Sequence, residues 1–482
     1  MILRLALLFV PSLIGLFWDD PAVSIGWSLC GSLFIAVVSQ TAWFLEAPGE
    51  APISHRALRP SFMFNLFMVL LQVVGGACHA LDAVGYSFRG WEGPRYGGSI
   101  PAMATAQVMM LAGHAATMAG MKLVGFRYGA SKFVLTGLPR YALAVISLTA
   151  LGLSSVLMLI PGGVNLGNKF GDLAITAVIV EVAVTVWHKR YANLNVAFLL
   201  LAANIAQQLV SGWKGQVLFT VIPLGALLYP AMRARVLIGG VLVSLVWGLY
   251  VYPFGAALRP LLWYQGVERS EAVNLSMDEA LHMPLDRRLE ELWIMAVKRL
   301  SDTGQFEKYI AFVPSAHPYY GFEIADEAMI GLVPRLLWQE KPDLERLSME
   351  RVYEAGVVLR GGTVSAKANF WQDAYLSGGL PIVLLAALLL GLLMQTTSRM
   401  CEEYFGGYTI GTGVIYTGLF AVAFHQPQNF LFFVGSIWGS ILVGIGLLVL
   451  GSLTGVLKRP AVKRPRVVPA PGVAAAAPQL PR

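Results

Sequence analysis

The residues best suited to chemistry lie in one polar stretch of about 110 residues, Pro260 to Phe370, set between long apolar segments. This stretch carries most of the carboxylates of the chain together with a spaced set of arginines. Guanidinium groups bind oxyanions through parallel hydrogen bonds, and carboxylates and histidines exchange protons with ligands. The pattern predicts that a large polar loop at a membrane surface does the chemical work.

The sequence of this loop shows no pattern typical of a metal site. Its two histidines, His282 and His317, stand at no ligand spacing, and the loop has no Asp-x-Asp motif. The three cysteines, Cys30, Cys78 and Cys401, lie in or next to apolar segments, which argues against a disulfide or a Cys-based metal site in the loop. We therefore expect no metal and no other cofactor.

A few ionisable residues fall inside the apolar segments, namely His79, Asp82, His114 and Glu181. Charged groups are costly in a membrane, so such residues often mark a function. The structural alternative, which we favour, is that Asp82 lies at a helix end and that His114 and Glu181 pair with polar neighbours in the bundle. A proton-coupled transporter would normally show more buried acids than this.

The composition indicates the class of protein that positions these residues. Of the 482 residues, 56% are hydrophobic and only 13% are charged, which is more apolar surface than a soluble protein can hide. The apolar runs suit membrane-spanning helices and are too long for barrel strands. We predict an all-α polytopic membrane protein with about twelve transmembrane helices. They run roughly over 2–18, 21–45, 61–84, 100–124, 139–161, 172–187, 194–213, 215–231, 236–259, 371–397, 408–425 and 429–451.

Basic residues in the short connections set the orientation, because Lys and Arg are enriched in cytoplasmic loops. With a cytoplasmic N-terminus, one side collects Arg56, Arg59, Arg127, Lys132, Arg140, Lys189, Arg190, Arg233, Arg235 and the cations of the tail. Arg89 and Arg95 are exceptions on the opposite side. Both termini are then cytoplasmic, and the long loop between spans 9 and 10 faces outward. The net charge of +7 reflects anchors beside anionic lipid and not nucleic-acid binding.

The chain divides into four predicted regions. They are a membrane domain with spans 1–9 at 1–259, a periplasmic loop with amphipathic helices at 260–370, spans 10–12 at 371–451, and a disordered basic cytoplasmic tail at 452–482. Helical spacing of apolar residues over Met283–Gly304 predicts an amphipathic helix above the bundle. The sequence GLVPRLLWQEKP at Gly331–Pro342 predicts a segment that dips back to the membrane surface. No internal repeat suggests the halves of a secondary transporter.

Several short motifs occur in order on the predicted outward side. They are Gly212-Trp213-Lys214-Gly215, Arg299-Leu300-Ser301, Val333-Pro334-Arg335 with Trp338, Lys341-Pro342, and Asp373-Ala374-Tyr375 before a Gly-Gly span. Together they resemble the O-antigen polymerase family, the oligosaccharide repeat-unit polymerases of bacterial surface polysaccharides, and the related O-antigen ligases share this plan of spans and loop. The resemblance implies a GT-C-like glycosyltransferase architecture. The chain departs from the pattern at Lys214, where related proteins often carry Arg. Lysine keeps the positive charge but cannot form the bidentate hydrogen bonds of arginine.

The resemblance implies metal-independent transfer of a glycan from undecaprenyl pyrophosphate to the sugar end of another lipid-linked glycan. The departing pyrophosphate gains negative charge that fixed cations stabilise. Arg299 and Arg335 are accordingly the expected catalytic cations. Lys214, Lys341 and Arg360 are expected to bind pyrophosphate or the acceptor glycan. The alternative for each cation is a plain salt bridge to a loop carboxylate such as Glu340, Asp343 or Glu345.

The same reaction requires a base for the acceptor hydroxyl, and the candidates are His317, Asp373, Asp326 and Glu323. His317 suits neutral pH but can instead brace a turn. Asp373 lies in the family-like motif, and can instead orient Arg360 or cap its helix. Trp338 either stacks on a sugar or belongs to the interfacial aromatic belt.

These expectations describe a polymerase of undecaprenyl-pyrophosphate-linked repeat units for exopolysaccharide or O-antigen, in the bacterial inner membrane. One alternative is O-antigen-ligase-type transfer to another acceptor, and an alternative of another class is a lipid-linked-glycan transporter. The expected partners are the lipid-linked oligosaccharide, membrane lipid, a chain-length regulator and a flippase, without nucleic acid.

Overall fold

The computed structural model describes residues 2–45, 56–94, 98–135, 142–160, 162–189, 194–210, 214–333, 338, 340–360, 366–425 and 427–459. Side chains at 135, 142, 194, 207–210, 214–216, 218–219 and 263 lie outside this description. The described chain is almost entirely helical. The α-helices are α1 Ile2–Leu16, α2 Pro21–Val38, α3 Ala42–Leu45, α4 Pro60–Met68, α5 Gly76–Ala83, α6 Ile100–Val124, α7 Ala142–Met158, α8 Val164–Trp187, α9 Leu194–Val210, α10 Lys214–Leu228, α11 Arg233–Val246, α12 Tyr252–Trp263, α13 Arg269–His282, α14 Leu285–Met295, α15 Thr303–Phe312, α16 Glu323–Ile330, α17 Leu344–Glu354, α18 Phe370–Tyr404, α19 Val422–His425 and α20 Phe430–Leu453.

Four π-helical segments continue or join these helices, at Val69–Gly75, Trp247–Val251, Ala296–Leu300 and Tyr408–Ala421. The strands within the described residues form two short antiparallel ribbons. One pairs β1 Tyr86–Ser87 with β2 Gly90–Trp91, and the other pairs β3 Val134–Leu135 with β4 Leu457–Lys458.

The protein is a helical membrane protein. A helix lies within each of the twelve apolar segments predicted from the sequence. Six helical segments among the described residues are long and apolar enough to cross a membrane, namely Pro21–Val38, Pro60–Ala83, Val164–Trp187, Arg233–Leu262, Phe370–Tyr404 and Phe430–Leu453. Helices form here because only internal hydrogen bonds can satisfy the backbone in hydrocarbon.

Helix α6 lies at the centre of the bundle and packs most extensively on α18. Its residues from Met103 to Lys122 are almost all buried. The close approach depends on glycine, since a Cβ at Gly120 would collide with the Leu388 carbonyl and one at Gly391 with the Thr117 carbonyl. Small residues at helix interfaces let the backbones of membrane helices approach closely. This contact places the start of α18 beside α6, where the polar loop docks.

Helix α18 breaks near its start, and the loop fills the break. Gly379 adopts a left-handed φ of 67°, a conformation that disfavours residues with a Cβ. The break frees carbonyls of α18, and the backbone N–H groups of Tyr320 and Gly321 donate to Leu376 O at 3.0 Å and Ser377 O at 3.1 Å. The segment around Tyr320 is thereby hydrogen-bonded to the first membrane helix after the loop.

The long polar loop folds back onto one end of the bundle, called the loop side below. Helix α13 packs on α12, α15 packs on α6, and α16 packs on α20. The amphipathic helix predicted over Met283–Gly304 begins as α14, continues as the π-helical segment Ala296–Leu300, and ends there. The loop is therefore a helical layer over the bundle and not an extended linker.

Candidate functional site

Three cations gather where the loop turns from the π-helical segment Ala296–Leu300 into α15. Lys298 and Arg299 are exposed, whereas Val297 on the opposite face is buried against the bundle. Although much of the Lys298 side chain is exposed, partial burial lowers its pKa, and the positive charges of Arg299 and Lys308 lower it further. The negative charge of Asp82 acts in the opposite direction. We call Lys298, Arg299 and Lys308 the cation cluster.

Arg299 is available for an external anion. In the part of the chain that the structure describes, no carboxylate lies within ion-pairing distance of its guanidinium group. Lys308 instead donates to two backbone carbonyls, at 3.3 Å to Gly356 O and 3.4 Å to Val357 O. Neutral carbonyls leave the positive charge of Lys308 uncompensated, so the cluster keeps an excess of positive charge.

Hydrogen bonds to the membrane helices hold this turn in place. Trp293 Nε1 donates to Asp82 Oδ1 at 3.0 Å, and both side chains are buried. Gln107 Nε2 of α6 donates to Thr303 Oγ1 at 2.7 Å, and Ser301 Oγ donates to the same hydroxyl at 2.7 Å. The cation cluster is thus carried on a segment anchored to α5 and α6 at both of its ends.

A buried acid–base pair lies on the inner side of the same turn. His79 Nε2 of α5 is 3.7 Å from Glu307 Oε2 of α15, and the two side chains are only 2% and 6% exposed. Neither ring nitrogen of His79 nor Oε2 of Glu307 has a hydrogen-bond partner among the described residues. Buried polar groups are normally hydrogen-bonded, so this pair has hydrogen-bonding capacity that the described residues do not use.

Packing holds the pair between two glycines. A Cβ on Gly304 would lie 2.7 Å from His79 Cε1, and a Cβ on Gly98 would overlap the carboxylate of Glu307. Neither position has room for a side chain while the pair keeps its place. The approach of α15 to the membrane helices therefore depends on the absence of side chains there.

A chain of buried polar side chains continues inward from the docked loop. Gln72 Nε2 donates to the Gln107 carbonyl at 3.3 Å, and Ser32 Oγ donates to Gln72 Oε1 at 2.9 Å. Ser32 Oγ also lies 2.7 Å from His114 Nδ1, and His114 Nε2 lies 2.8 Å from Asn65 Oδ1. His114 therefore pairs with polar neighbours, as its structural interpretation predicted. The chain links α2, α4, α6 and the π-helical segment Val69–Gly75.

A second buried charge network lies at the start of α18. Arg351 Nε of α17 donates to Asp373 Oδ1 at 3.2 Å, and Arg351 Nη1 donates to Glu327 Oε2 at 2.6 Å. Asp373 Oδ2 also accepts the Phe430 N–H at 2.8 Å. Asp373 is fully buried, and these hydrogen bonds of its carboxylate link α17, α18 and α20.

Two other roles were predicted for Asp373, namely capping its helix and orienting Arg360, and other residues perform both. Asn369 caps α18, accepting from Gln372 N while the Gln372 side chain accepts from Asn369 N. Arg360 pairs with Glu350 on the protein surface, where Arg360 Nη1 lies 3.1 Å from Glu350 Oε2. Arg360 therefore forms a salt bridge, as the alternative for it predicted. Its partner is Glu350 and none of the three carboxylates named as examples, Glu340, Asp343 and Glu345.

His317 is half-buried in an aromatic stack on the loop. Its ring lies 4.4 Å from that of Tyr320 and 5.7 Å from that of Phe312, both nearly parallel. Nδ1 donates to the Pro318 carbonyl at 2.6 Å, which leaves Nε2 as the acceptor nitrogen. Tyr320 in turn donates to Glu354 Oε2 at 2.9 Å. The ring braces the turn and presents one nitrogen that can accept a proton.

The remaining predicted residues are partly described. Arg335 lies outside the described residues, and so does the side chain of Lys214, whose backbone begins α10. Lys341 Nζ donates to the Val333 carbonyl at 2.8 Å, and Trp338 is 38% exposed. The described residues contain no group of three or more His, Cys, Asp or Glu side chains that could hold a metal ion.

Sequence reasoning did not single out Lys298, Lys308 or Glu307 as site residues. One signal for Glu307 was present, because Thr303, Phe306, Glu307 and Ile310 share a face at helical spacing. A carboxylate on the apolar face of an amphipathic helix is unusual, and such a group is normally paired with another polar group. The identity of that partner, His79, required the fold.

The chain belongs to a family described as "Domain of unknown function (DUF8712)", whose model matches residues 10–459. No curated protein and no solved structure matches the chain.

Proposed function

We propose that this member of the family is a membrane glycosyltransferase that polymerises undecaprenyl-pyrophosphate-linked oligosaccharide repeat units for exopolysaccharide or O-antigen synthesis. The observation that carries the proposal is the cation cluster, in which Arg299 stands without a carboxylate partner among the described residues. An exposed arginine beside two lysines raises the local positive potential, and no carboxylate among the described residues compensates the charge of Arg299. A pyrophosphate supplies that compensation.

In the proposed reaction the acceptor hydroxyl attacks the anomeric carbon of the donor sugar. A new C–O bond forms as the sugar–phosphate bond breaks, and undecaprenyl pyrophosphate leaves with the electron pair. Arg299 and Lys298 stabilise the charge that develops on the leaving group, with Arg335, Lys214, Lys341 and Arg360 as further candidates. Direct displacement predicts inversion at the anomeric carbon, and a product that retains the configuration of the donor would rule it out.

We assign the base to Glu307, with His79 beside it. The carboxylate is buried under the turn that carries the cation cluster, and Oε2 has no hydrogen-bond partner among the described residues. Glu307 would take the proton that the acceptor hydroxyl loses, and His79 would hold the Glu307 carboxylate in position. His317 is the second candidate, because Nε2 is left as an acceptor. Asp373 is the third, although Arg351 and the Phe430 N–H already occupy its oxygens.

The proposal includes twelve transmembrane helices in a GT-C-like arrangement in the bacterial inner membrane. Helices in all twelve predicted apolar segments support this count. The distribution of basic residues supports cytoplasmic termini and a loop side that faces the periplasm. A chain-length regulator and a flippase are the partners that such a reaction would require.

Two other functions remain as alternatives with distinct expected products. O-antigen-ligase-type transfer uses the same donor chemistry but adds the glycan once to a different acceptor. A lipid-linked-glycan transporter is favoured by one observation, the polar chain through Gln72, Ser32 and His114. That chain consists of side chains hydrogen-bonded to one another, which suits structural cohesion better than a substrate path.

The test is transfer by the purified full-length protein, supplied with undecaprenyl-pyrophosphate repeat units and no metal. We expect a glycan ladder from the wild type and a loss of about 10²-fold in rate for Arg299→Ala. Arg287→Ala is the matched control, because Arg287 is an exposed arginine of the same loop, on α14.

The product distinguishes the alternatives. A single glycan addition would favour the ligase, and no transfer with a matched native substrate would favour the transporter. A ladder made equally well by Arg299→Ala would remove the cation cluster from the mechanism.

A further inference from the structure

An open groove of about 770 Å³ lies at the end of the bundle opposite the loop side. It is bordered by the end of α18, the end of α20, and the ribbon formed by β3 and β4. Its principal lining residues are Lys132, Phe133, Tyr404, Leu448, Leu453 and Arg459. No residue of this groove takes part in the candidate site on the loop side.

The lining is mainly apolar and reaches the lipid-facing surface. Leu453 is 80% exposed and Val449 is 52% exposed, on a helix apolar enough to cross the membrane. Both α18 and α20 begin on the loop side, so their ends at Tyr404 and Leu453 lie where hydrocarbon gives way to headgroups. A groove at this level can hold part of an acyl chain against its apolar wall.

The polar edge of the groove is positively charged. Lys132 Nζ lies 2.8 Å from Glu403 Oε2, which compensates its charge, and it also donates to the Tyr404 hydroxyl at 3.3 Å. Arg459 is exposed and has no ion pair within the described residues, and the exposed Lys458 precedes it. The edge therefore carries an excess of positive charge beside an apolar wall.

We propose that this groove binds an anionic phospholipid, with its phosphate at Arg459 and one acyl chain against Leu448 and Leu453. Basic pockets between membrane helices bind anionic headgroups, and the apolar wall adds affinity for each methylene that it covers. The proposal does not depend on the function proposed for the loop side.

Charge decides between this lipid and the C-terminal segment of the chain itself. Residues 461–482 contain Lys463, Arg464, Arg466 and Arg482 and no aspartate or glutamate. Such a segment is repelled by Lys458 and Arg459, whereas a phosphodiester is attracted by both. The groove and the segment beyond it thus favour the same anionic membrane surface.

The test uses the detergent-solubilised full-length protein and phosphatidylglycerol with a photoactivatable acyl chain. We expect saturable labelling on 448–453 and 132–133, with unlabelled phosphatidylglycerol competing about tenfold better than phosphatidylcholine. Arg459→Gln should weaken binding by roughly five- to tenfold, and Ser452→Trp should block the acyl chain by filling the groove. Arg233→Gln is the control, since Arg233 is an exposed cation at the same end of the bundle.

Three results with the full-length protein would overturn the proposal. They are equal competition by both lipids, labelling that Arg459→Gln and Ser452→Trp leave unchanged in folded protein, and labelling concentrated elsewhere. A chain lacking residues 461–482 tests the other occupant. If the segment fills the groove, its removal increases labelling several-fold, and the lipid is not the resident ligand.

Discussion

His79 Nε2 and Glu307 Oε2 lie 3.7 Å apart, buried between a membrane helix and the polar loop. The distance is too long for a direct hydrogen bond, and neither atom has another partner among the described residues. A buried polar atom without a partner costs about 1–3 kcal/mol. This cost is explained if the two groups bind a hydroxyl or exchange a proton during function, as the proposed transfer requires.

Replacement of Glu307 by glutamine should slow transfer strongly and preserve the fold. Glutamine keeps the shape of the side chain but cannot accept the proton, so we expect the rate of glycan transfer to fall by about 10²-fold or more. Transfer is measured with the lipid-linked repeat units, and folding by thermal unfolding of the same preparation. Glu290→Gln is the control, because Glu290 belongs to a surface pair with Arg89 at 3.4 Å. Wild-type activity in Glu307→Gln would transfer the role of base to His317 or Asp373.

Replacement of Arg351 by methionine should destabilise the protein strongly. It leaves the buried carboxylate of Asp373 and the partly exposed carboxylate of Glu327 without their counter-charge, and breaking a buried pair such as Arg351–Asp373 costs about 3–5 kcal/mol. Unfolding in denaturant measures the loss. Arg360→Gln removes an arginine from a surface pair with Glu350 and should leave stability unchanged.

The same network offers a rescue. Arg351→Met combined with Asp373→Asn and Glu327→Gln should recover part of the lost stability, because no unpaired charge remains. A triple variant less stable than Arg351→Met alone would show that the carboxylates have partners of their own that matter more than Arg351.

Replacement of Gly304 by alanine should loosen the docked loop. The added Cβ would lie 2.7 Å from His79 Cε1, so His79 or α15 must move, and overpacking of this kind costs about 1–3 kcal/mol. Limited proteolysis of the loop and thermal unfolding report the change. Gly239→Ala is the control, because nothing lies within 4 Å of its added Cβ on α11. Alanine there should stabilise slightly, and equal behaviour of the two variants would contradict the packing at Gly304.

Replacement of Asp302 by asparagine should stabilise the protein at neutral pH. Burial raises the pKa of Asp302 above its usual range, and the hydrogen bond from Asn369 Nδ2 at 2.8 Å opposes that rise. The folded protein therefore binds the Asp302 proton more tightly than the unfolded chain does. Stability falls as pH rises from the ordinary aspartate pKa of about 3.9 to the raised pKa, and the penalty then stays constant.

Asparagine removes this penalty and still accepts the hydrogen bond from Asn369. The unfolding free energies of wild type and Asp302→Asn should therefore converge near about pH 4 and separate above it, with the variant more stable. A constant difference across this pH range would mean that Asp302 does not titrate with folding.

Several features were accessible from local sequence because their causes are local. The lengths of the apolar runs depend on the thickness of the hydrocarbon layer, so helices at 100–124 and 371–397 could be placed without a structure. The end of the amphipathic helix at Leu300 was less accessible. The predicted segment extended to Gly304, whereas the helix ends at Leu300 and the chain turns at Ser301, where its hydroxyl bonds Thr303.

The sequence by itself determined that this is a helical membrane protein with most of its carboxylates in one loop, because composition and run length decide both. It also identified Arg299 and Asp373 as residues of interest. Only the tertiary structure decided that Asp373 is bound by Arg351 and that Glu307 meets His79. These partners lie on different helices, so no spacing along the chain encodes them. Their meeting depends on how α15, α17 and α18 pack, and that packing is a property of the whole bundle.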